Sequence, residues 1–435
     1  MSNQQIILPQ ILKGTREFGP EEMARRNFVM RRIVEVFERF GYAPIETPIL
    51  NPAETILGKY GEEGDRLTYN WLDAGERRVA LPYDLTVPFA RYVAANWREL
   101  PMPFKRYQIQ RVWRAEKPQK GRLREFYQCD IDIIGTKSLL AETEVAKVIV
   151  EVFKAVGLPD VVIKVNSRRL LDEVLEKFGI AAEKKMGAIR AIDKLDKIGK
   201  GKVIEVLRQE GVMNAETLME LLSPGQTNAQ TLAKFSSFDL SEINTFFAYA
   251  RDCRIEEEYL QFDPSLARGL DYYTGLIFEV VGKETGMGTL CAGGRYDDLC
   301  SLFVDQQFSG MGVAFGFERM MMVLEEKGFM KDVGLNSQVL VANFGNEVVK
   351  NALTIMDELT RAGINAELYF DSAKLEKQFK YADKKKIPFV VMCGSDEAAR
   401  GEVKVKIMIS GKQKAIPQNQ LVSYIKGYDA AGKTD

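Results

Sequence analysis

The sequence of 435 residues predicts an α+β fold in two parts: a core over residues 1–326 with a helical insertion at about 168–260, then a linker at 327–337 and a small α/β domain over 338–435. Three observations carry this reading. The length exceeds what one hydrophobic core usually serves. The apolar period alternates between two and 3.6, so strands and helices are mixed along the chain. A charged helical stretch interrupts the strand pattern, which stops near residue 165 and resumes at 262. Composition adds that the chain is ordinary and globular, with 46% hydrophobic and 28% charged residues and a net charge of -1. Near-neutrality removes any overall attraction to polyanions, so phosphate or nucleic acid must be met by local patches. No apolar run approaches the ~20 residues of a membrane span, and the first residues lack a charged-then-apolar signal. A soluble, cytoplasmic protein without membrane attachment is expected.

Residues 21–40 place Phe28, Ile33, Val36, Phe37 and Phe40 at helical spacing, stopped by Gly41 and followed by the extended TPIL around Pro48. Residues 77–98 read as a strand into Pro82, then a helix with Pro88 in its first turn, with Asp84 and Thr86 at the join. An amphipathic helix at 138–155 leads into the strand VVIKV at 161–165. Residues 168–260 are helical and charged, and solvated faces account for most of their lysines. The strand pattern then returns at 262–282, 288–300 and 310–326, the last with a helix after the GVAFGF strand. Beyond the linker, VLVANF, a helix at 346–362 ended by Gly363, INAELYF, a helix at 373–386 and FVVMC predict a mostly parallel sheet. Lysines 374, 377, 380, 384, 385 and 386 form either a basic face for RNA or a merely solvated helix.

The chemically richest stretch is RVWRAEKPQKGRLREFYQCDIDIIG, residues 111–135. Side chains two apart in a strand share a face, so Gln110, Arg114 and Glu116 align on the incoming segment and Gln128, Asp130 and Asp132 on the outgoing one. Tyr127, Cys129, Ile131 and Ile133 take the opposite, core face. Between them, Lys117, Lys120, Arg122 and Arg124 surround Pro118 and Gly121, a turn loaded with phosphate donors. The pattern reads as an anion-binding hairpin, although an exposed basic hairpin on an ordinary sheet would share it. Scattered arginines elsewhere, Arg268 and Arg319, stand beside glycine or an acidic residue. Arg319 opens a helix, where the macrodipole disfavours a cation, which suggests a task other than helix stability.

Several chemistries are excluded. There is no GxxxxGK[ST] loop, and GMGVAFG at 310–316 misses the GxGxxG spacing. The five cysteines form no CxxC pair, so neither a zinc site nor a disulfide framework is supported. The chain contains no histidine at all. His-based triads, His-ligated metals and the usual general base are therefore absent.

These residues resemble the histidyl-tRNA synthetases, a family of class II aminoacyl-tRNA synthetases, over essentially the whole chain. The helix and strand through Gly41 and Pro48 resemble motif 1, RVWRAEKPQKGRLREFYQCD motif 2 and GVAFGFERMMMVLEE motif 3. LARGLDYYTGLIFE and CAGGRYDDL resemble the two peptides that set histidine specificity and separate this family from other class II synthetases. The region after 338, including KQFKYADKKKIPFVVMCG, resembles the anticodon-binding domain. The resemblance implies a catalytic core with a mainly antiparallel sheet flanked by helices, plus a C-terminal α/β anticodon-binding domain.

It further implies a ligase of protein biosynthesis that binds ATP, activates L-histidine as the adenylate and transfers it to tRNA(His). Arg114, Glu116, Arg122 and Arg319 are implied at ATP, with Arg114, Arg319 and Arg268 as the catalytic arginines. Asp84, Thr86, Gln128, Asp132, Arg268, Tyr272 and Tyr273 are implied around histidine. Asp84 departs from the glutamate-containing version of PYDLT in other members. Mg2+ is implied with the nucleotide rather than on a metal site of the protein, and motif 1 implies a homodimer. A regulatory paralogue of histidine biosynthesis binds histidine without charging tRNA. Such proteins generally lack the C-terminal domain and degrade the ATP arginines, and both are present here.

Overall fold

The computed structural model describes residues 8–212, 214–267, 272–283, 285–330, 333–334 and 337–430. The chain divides into two compact units, one of residues 1–18 and 26–331, the other of 19–25 and 332–435. Strands of the first unit are β1 (Ala43–Pro44), β2 (Asn51–Pro52), β3 (Asn70–Leu72), β4 (Arg78–Ala80), β5 (Phe104–Trp113), β6 (Glu125–Ile134), β7 (Val161–Ser167), β8 (Leu260–Phe262), β9 (Leu276–Gly282), β10 (Cys291–Tyr296) and β11 (Gly310–Gly316). Strands β2, β4 and β3 make a small antiparallel sheet. The rest build an eight-stranded sheet in the order β1-β5-β6-β11-β10-β9-β7-β8. It is antiparallel except at its edges, where β1 runs parallel to β5 and β8 parallel to β7. The expected mainly antiparallel sheet is therefore observed.

One face of this sheet is apolar. Phe37, on helix Pro20–Arg39, packs its ring 5.6 Å from both Tyr107 and Phe315, and Phe153 of helix Leu140–Ala155 lies 6.0 Å from Phe315. Cys129 and Ile131 lie fully buried and Ile133 nearly so, as the alternation along β6 requires. The other face begins at Phe104, Ile134 and Tyr296, which pack with Phe89 and Val93 of helix Thr86–Asn96 in one apolar cluster. Further along, that face turns polar, and there the cleft lies.

The charged segment after β7 is helical from Arg168 onward, through helix Ser241–Asp252. Its last helix returns to the core, with the Phe246 ring 5.3 Å from Phe278 of β9. The chain then re-enters the large sheet as β8. That short strand straddles the boundary between the helical stretch expected to about 260 and the strand pattern expected from 262.

In the second unit, β12 (Val339–Val341), β13 (Ala366–Leu368), β14 (Phe389–Met392), β15 (Glu402–Ile407) and β16 (Gln413–Pro417) form a sheet in the order β13-β12-β14-β15-β16. Only β12 with β13 and β12 with β14 are parallel; β14–β15 and β15–β16 are antiparallel. The expectation of a mostly parallel sheet is corrected to a mixed one. The reason lies in EVKVKI, where Val403, Val405 and Ile407 alternate inward, and in the short turn after it, which returns the chain as an antiparallel neighbour without a crossover. Among the lysines of the second unit, Lys380 pairs with Glu376 at 2.8 Å and Lys385 with Glu367 at 2.6 Å. Lys374, Lys377 and Lys384 are exposed.

Candidate active site

Register assembles the polar face row by row. Arg106 of β5 lies opposite Asp132 of β6, then Gly312 of β11, Gly294 of β10 and Ile277 of β9. The next row is Gln108, Asp130, Ala314, Ala292 and Glu279, and the third begins Gln110, Gln128, Gly316. Polar side chains on β5 and β6 thus border a trough floored by glycine and alanine on β11 and β10. The small residues are required by space. A Cβ on Gly312 would stand 1.9 Å from Asp132 Oδ1, and one on Gly294 would meet the Tyr273 ring at 2.9 Å.

At the acidic end every carboxyl is buried. Asp132 pairs with Arg106 at 2.5 Å and accepts a hydrogen bond from the Tyr296 hydroxyl at 2.7 Å. Burial pushes its pKa up to about 6, against the pull of Arg106. Asp130, two residues earlier, is pushed up to about 8 by burial, with Arg106 opposing and the charges of Asp132 and Asp84 adding. Arg106 stacks over Phe89, its guanidinium carbon 4.3 Å from the ring centroid. Gln108 and Gln110 tie this row to Thr47, whose hydroxyl and carbonyl accept from their amides at 2.9 Å.

Asp84 sits where PYDLT enters helix Thr86–Asn96. Its Oδ1 accepts from the backbone N–H of Thr86 at 3.0 Å and Val87 at 3.2 Å, and from the Tyr60 hydroxyl at 2.9 Å. A carboxylate there complements the exposed N–H groups and the dipole of the helix start. Burial nonetheless raises its pKa, the bonds from Val87 and Tyr60 opposing. Tyr60 stacks on Tyr83 at 4.9 Å, and Tyr272 lies 4.8 Å from Tyr273 and 6.4 Å from Tyr296. Burial, helped by the neighbouring Tyr273 and Asp84, holds the Tyr272 phenol well above its ordinary range, so it remains a hydroxyl donor at neutral pH.

The other end carries the arginines. Strand β5 stops at Trp113, so Arg114 and Glu116 follow the strand instead of extending its row. Arg114 donates to the Tyr83 carbonyl at 3.0 Å and to Gln128 Oε1 at 3.3 Å, with Tyr83 and Phe126 rings 4.3 and 5.1 Å from its guanidinium. Glu116 and Arg122 form an ion pair at 3.5 Å within the hairpin loop. Arg319, in the first turn of helix Phe317–Glu326, donates to the Gly121 carbonyl at 3.3 Å and the Thr289 carbonyl at 2.7 Å. Gly121 suits the turn that presents this carbonyl through its φ of 73°, a left-handed conformation that other residues rarely adopt. The helix itself is anchored by Glu318, which takes a two-pronged bond from buried Arg26 at 2.6 and 2.8 Å.

The structure therefore brings Asp84, Thr86, Gln128, Asp132, Tyr272 and Tyr273 around the acidic end, and Arg114, Glu116, Arg122 and Arg319 around the cationic end. Arg268 lies outside the described residues. Its described flank is fixed, since Asn166 of β7 donates to the carbonyls of Pro264 at 3.1 Å and Leu266 at 2.8 Å. Sequence reasoning missed Arg106, Tyr60, Tyr83 and Tyr296. Arg106 shares the parity of Gln110 four residues on, so extending the alternation backward along β5 would have found it; Tyr83 and Tyr296 lie inside PYDLT and CAGGRYDDL, whereas Tyr60 arrives from a separate segment and left no such signal. Among the described residues, no group of three or more Cys, Asp or Glu side chains is placed to hold a metal ion.

A cleft with buried carboxyls at one end and arginine forks at the other suits a small cationic or zwitterionic ligand lying against a polyphosphate. Comparison with known proteins places the chain in a family. A family model described as histidyl-tRNA synthetase matches residues 14–320, and one described as anticodon binding domain matches residues 338–428. A histidine–tRNA ligase of Cytophaga hutchinsonii is 39% identical, covering 95% of this chain and 98% of its own. One of Christiangramia forsetii is 40% identical, covering 96% and 99%. The crystal structure of histidyl-tRNA synthetase from Nostoc sp. PCC 7120 superposes with a TM-score of 0.84 at 31% identity, covering 97% of this chain and all of that one.

Proposed function

The chain belongs to the histidyl-tRNA synthetase family, and from that premise we propose that the cleft on the large sheet is where it activates histidine with ATP before ligating it to tRNA(His). Asp84, Thr86, Gln128, Asp132, Tyr272 and Tyr273 receive the amino acid. Arg114, Arg122 and Arg319 receive the phosphates, with Glu116 beside the adenine and Arg268 over the reacting phosphate. The observation that carries this reading is Gln128, one buried side chain that shares a strand face with Asp132 and accepts a hydrogen bond from Arg114. It stands where the two substrates must meet.

Joining a carboxylate to the α-phosphate requires two anions to approach, so the chemical need is positive charge and orientation. Arginine forks supply both, being planar and always ionised. Mg2+ enters with ATP as part of that substrate and supplies further neutralisation of the phosphoryl oxygens. No nucleophilic side chain is needed, because the histidine carboxylate is itself the nucleophile and pyrophosphate departs. In the transfer step a tRNA hydroxyl attacks the mixed anhydride, and with no histidine in the chain the departing phosphate oxygen takes the proton. Selection for histidine rests on polar pairing, since an apolar side chain would offer Asp84 and Tyr273 none of the hydrogen bonds that an imidazole ring offers them.

The second unit reads the tRNA anticodon, supported by its family match and exposed lysines. A homodimer through the segment after Gly41 is supported by Ile49 and Leu50, which are 41% and 52% exposed. Among the described residues no helix is long and apolar enough to cross a membrane, and a cytoplasmic location fits the tRNA substrate. ATP–pyrophosphate exchange measured with each amino acid in turn tests the reading. Histidine alone should drive exchange; exchange driven equally by another amino acid, or by none, would refute it.

A further inference from the structure

Asp130 lies in the middle of the polar face, between Gln128 and Asp132 on β6, and has no part in the assignments above. It is 2% exposed. Gln128 Nε2 donates to its two carboxyl oxygens at 3.2 and 3.4 Å, while the same amide's Oε1 accepts from Arg114 at 3.3 Å. Arg114 in turn is held by the Tyr83 carbonyl and by the rings of Tyr83 and Phe126. The Gln128 amide is thus suspended between an acceptor on one side and a cationic donor on the other.

An amide has two nearly isosteric orientations, and a strand side chain of this length can usually adopt both. Here one is excluded. Turning the Gln128 amide over would set its NH2 group against the guanidinium of Arg114 and its carbonyl against the carboxyl of Asp130. The first contact is repulsive at any pH in a site with little water to relieve it, and the second becomes repulsive once Asp130 ionises. We propose that Asp130 is a positioning residue of the activation reaction: by accepting from the Gln128 amide it keeps the carbonyl of Gln128 turned to Arg114, joining the amino-acid end of the cleft to the phosphate end. The proposal rests on the reading of Gln128 and Arg114 given above.

Arg106 and Gln108 of β5, Asp132 on its own strand and Asp84 at the helix start are the charged and polar groups that surround Asp130. Ala314 of β11 faces it without charge. This setting explains why burial pushes the Asp130 carboxyl up to about 8. Either form accepts from Gln128, the ionised one more strongly, so the positioning effect strengthens as pH rises through that value.

The test is a double-substitution cycle on histidine-dependent pyrophosphate exchange. Asp130→Ala should lower kcat/KM for histidine on the order of tenfold, Gln128→Ala by at least as much, and the double variant no further than Gln128→Ala alone. Asp130→Asn, which keeps an acceptor oxygen at the same reach, should recover part of the loss. Additive losses, or an Asp130→Ala enzyme with wild-type kinetics, overturn the proposal. Should Asp130→Ala fail to fold, the pH profile of Asp130→Asn decides. The wild-type rise in kcat/KM near pH 8 should be missing from the variant, and its persistence overturns the proposal. Wild-type exchange driven by histidine is the control, because its absence would instead count against the functional reading.

Discussion

The two ends of the cleft are built differently. At the acidic end Asp84, Asp130, Asp132 and Gln128 are all nearly inaccessible, and each is already held by a neighbour on the sheet or at the helix start. At the cationic end Arg114, Glu116, Arg122 and Arg319 are half-buried, and Arg319 and Arg114 Nε donate to backbone carbonyls. A carbonyl is a neutral acceptor that a phosphate oxygen outcompetes. The first end is organised before its ligand arrives and so selects; the second parks its charges until a polyanion redirects them.

The largest effect should follow from Arg114→Lys, because Arg114 touches both ends. A point charge cannot donate in two directions while lying flat on Tyr83, so kcat for exchange should fall on the order of 10²–10³-fold. A change confined to the KM of ATP would show instead that the ends act independently.

Gly312→Ala attacks the acidic end alone. With its new methyl carbon 1.9 Å from Asp132 Oδ1, the carboxyl must leave Arg106 and Tyr296. The KM for histidine should rise about 10–100-fold, by loss of charge-assisted bonds, with the KM for ATP nearly unchanged. Equal increases in both constants would contradict the separation.

Smaller is the effect of pH on stability without ligand. Asp132 and Asp130 titrate at about 6 and about 8, above the roughly 3.9 of an unfolded aspartate. Between those values the folded state binds more protons than the unfolded one, so the stability contribution is full below about pH 4 and is lost as pH rises through 6 and 8. Thermal melts should show Tm declining over that window. Asp130→Asn should flatten its upper part and melt a few degrees higher than wild type at pH 8.5. A decline of equal slope in both proteins would assign it to other groups.

Least change is expected from Arg122→Ala. Its pair with Glu116 is at 3.5 Å, with the Arg122 side chain 39% exposed, so the contribution to stability should stay below about 1 kcal/mol. The KM for ATP should still rise about three- to tenfold, and more at low salt, since screening weakens a partly exposed charge. An effect on histidine binding as large as that on ATP would blur the division between the ends.

Much of the fold was legible because it follows local periodicity. Helix Pro20–Arg39 shows in its apolar stripe and Gly41, β6 in its strict alternation, and the break after Ser167 in a change of period. EVKVKI was overlooked although it alternates, since the parallel strands before it suggested a repeating pattern that the chain abandons. In the cleft, Gln128 and Asp132 could be read from the parity of one strand. Tyr60 could not, because it reaches Asp84 across 24 residues of loop and short elements.

By itself the sequence determined which side chains share a strand face, which chemistries are absent and which family the motifs resemble. Those properties reside in residue type and spacing. Only the tertiary structure decided that Arg106 neutralises Asp132, that Gly312 and Gly294 clear the trough, and that the carboxyl of Asp130 holds its proton near neutral pH. These depend on strand register and on the removal of water. Register is set by hydrogen bonds between segments nearly two hundred residues apart, and desolvation acts only once all of them have closed over the same charge.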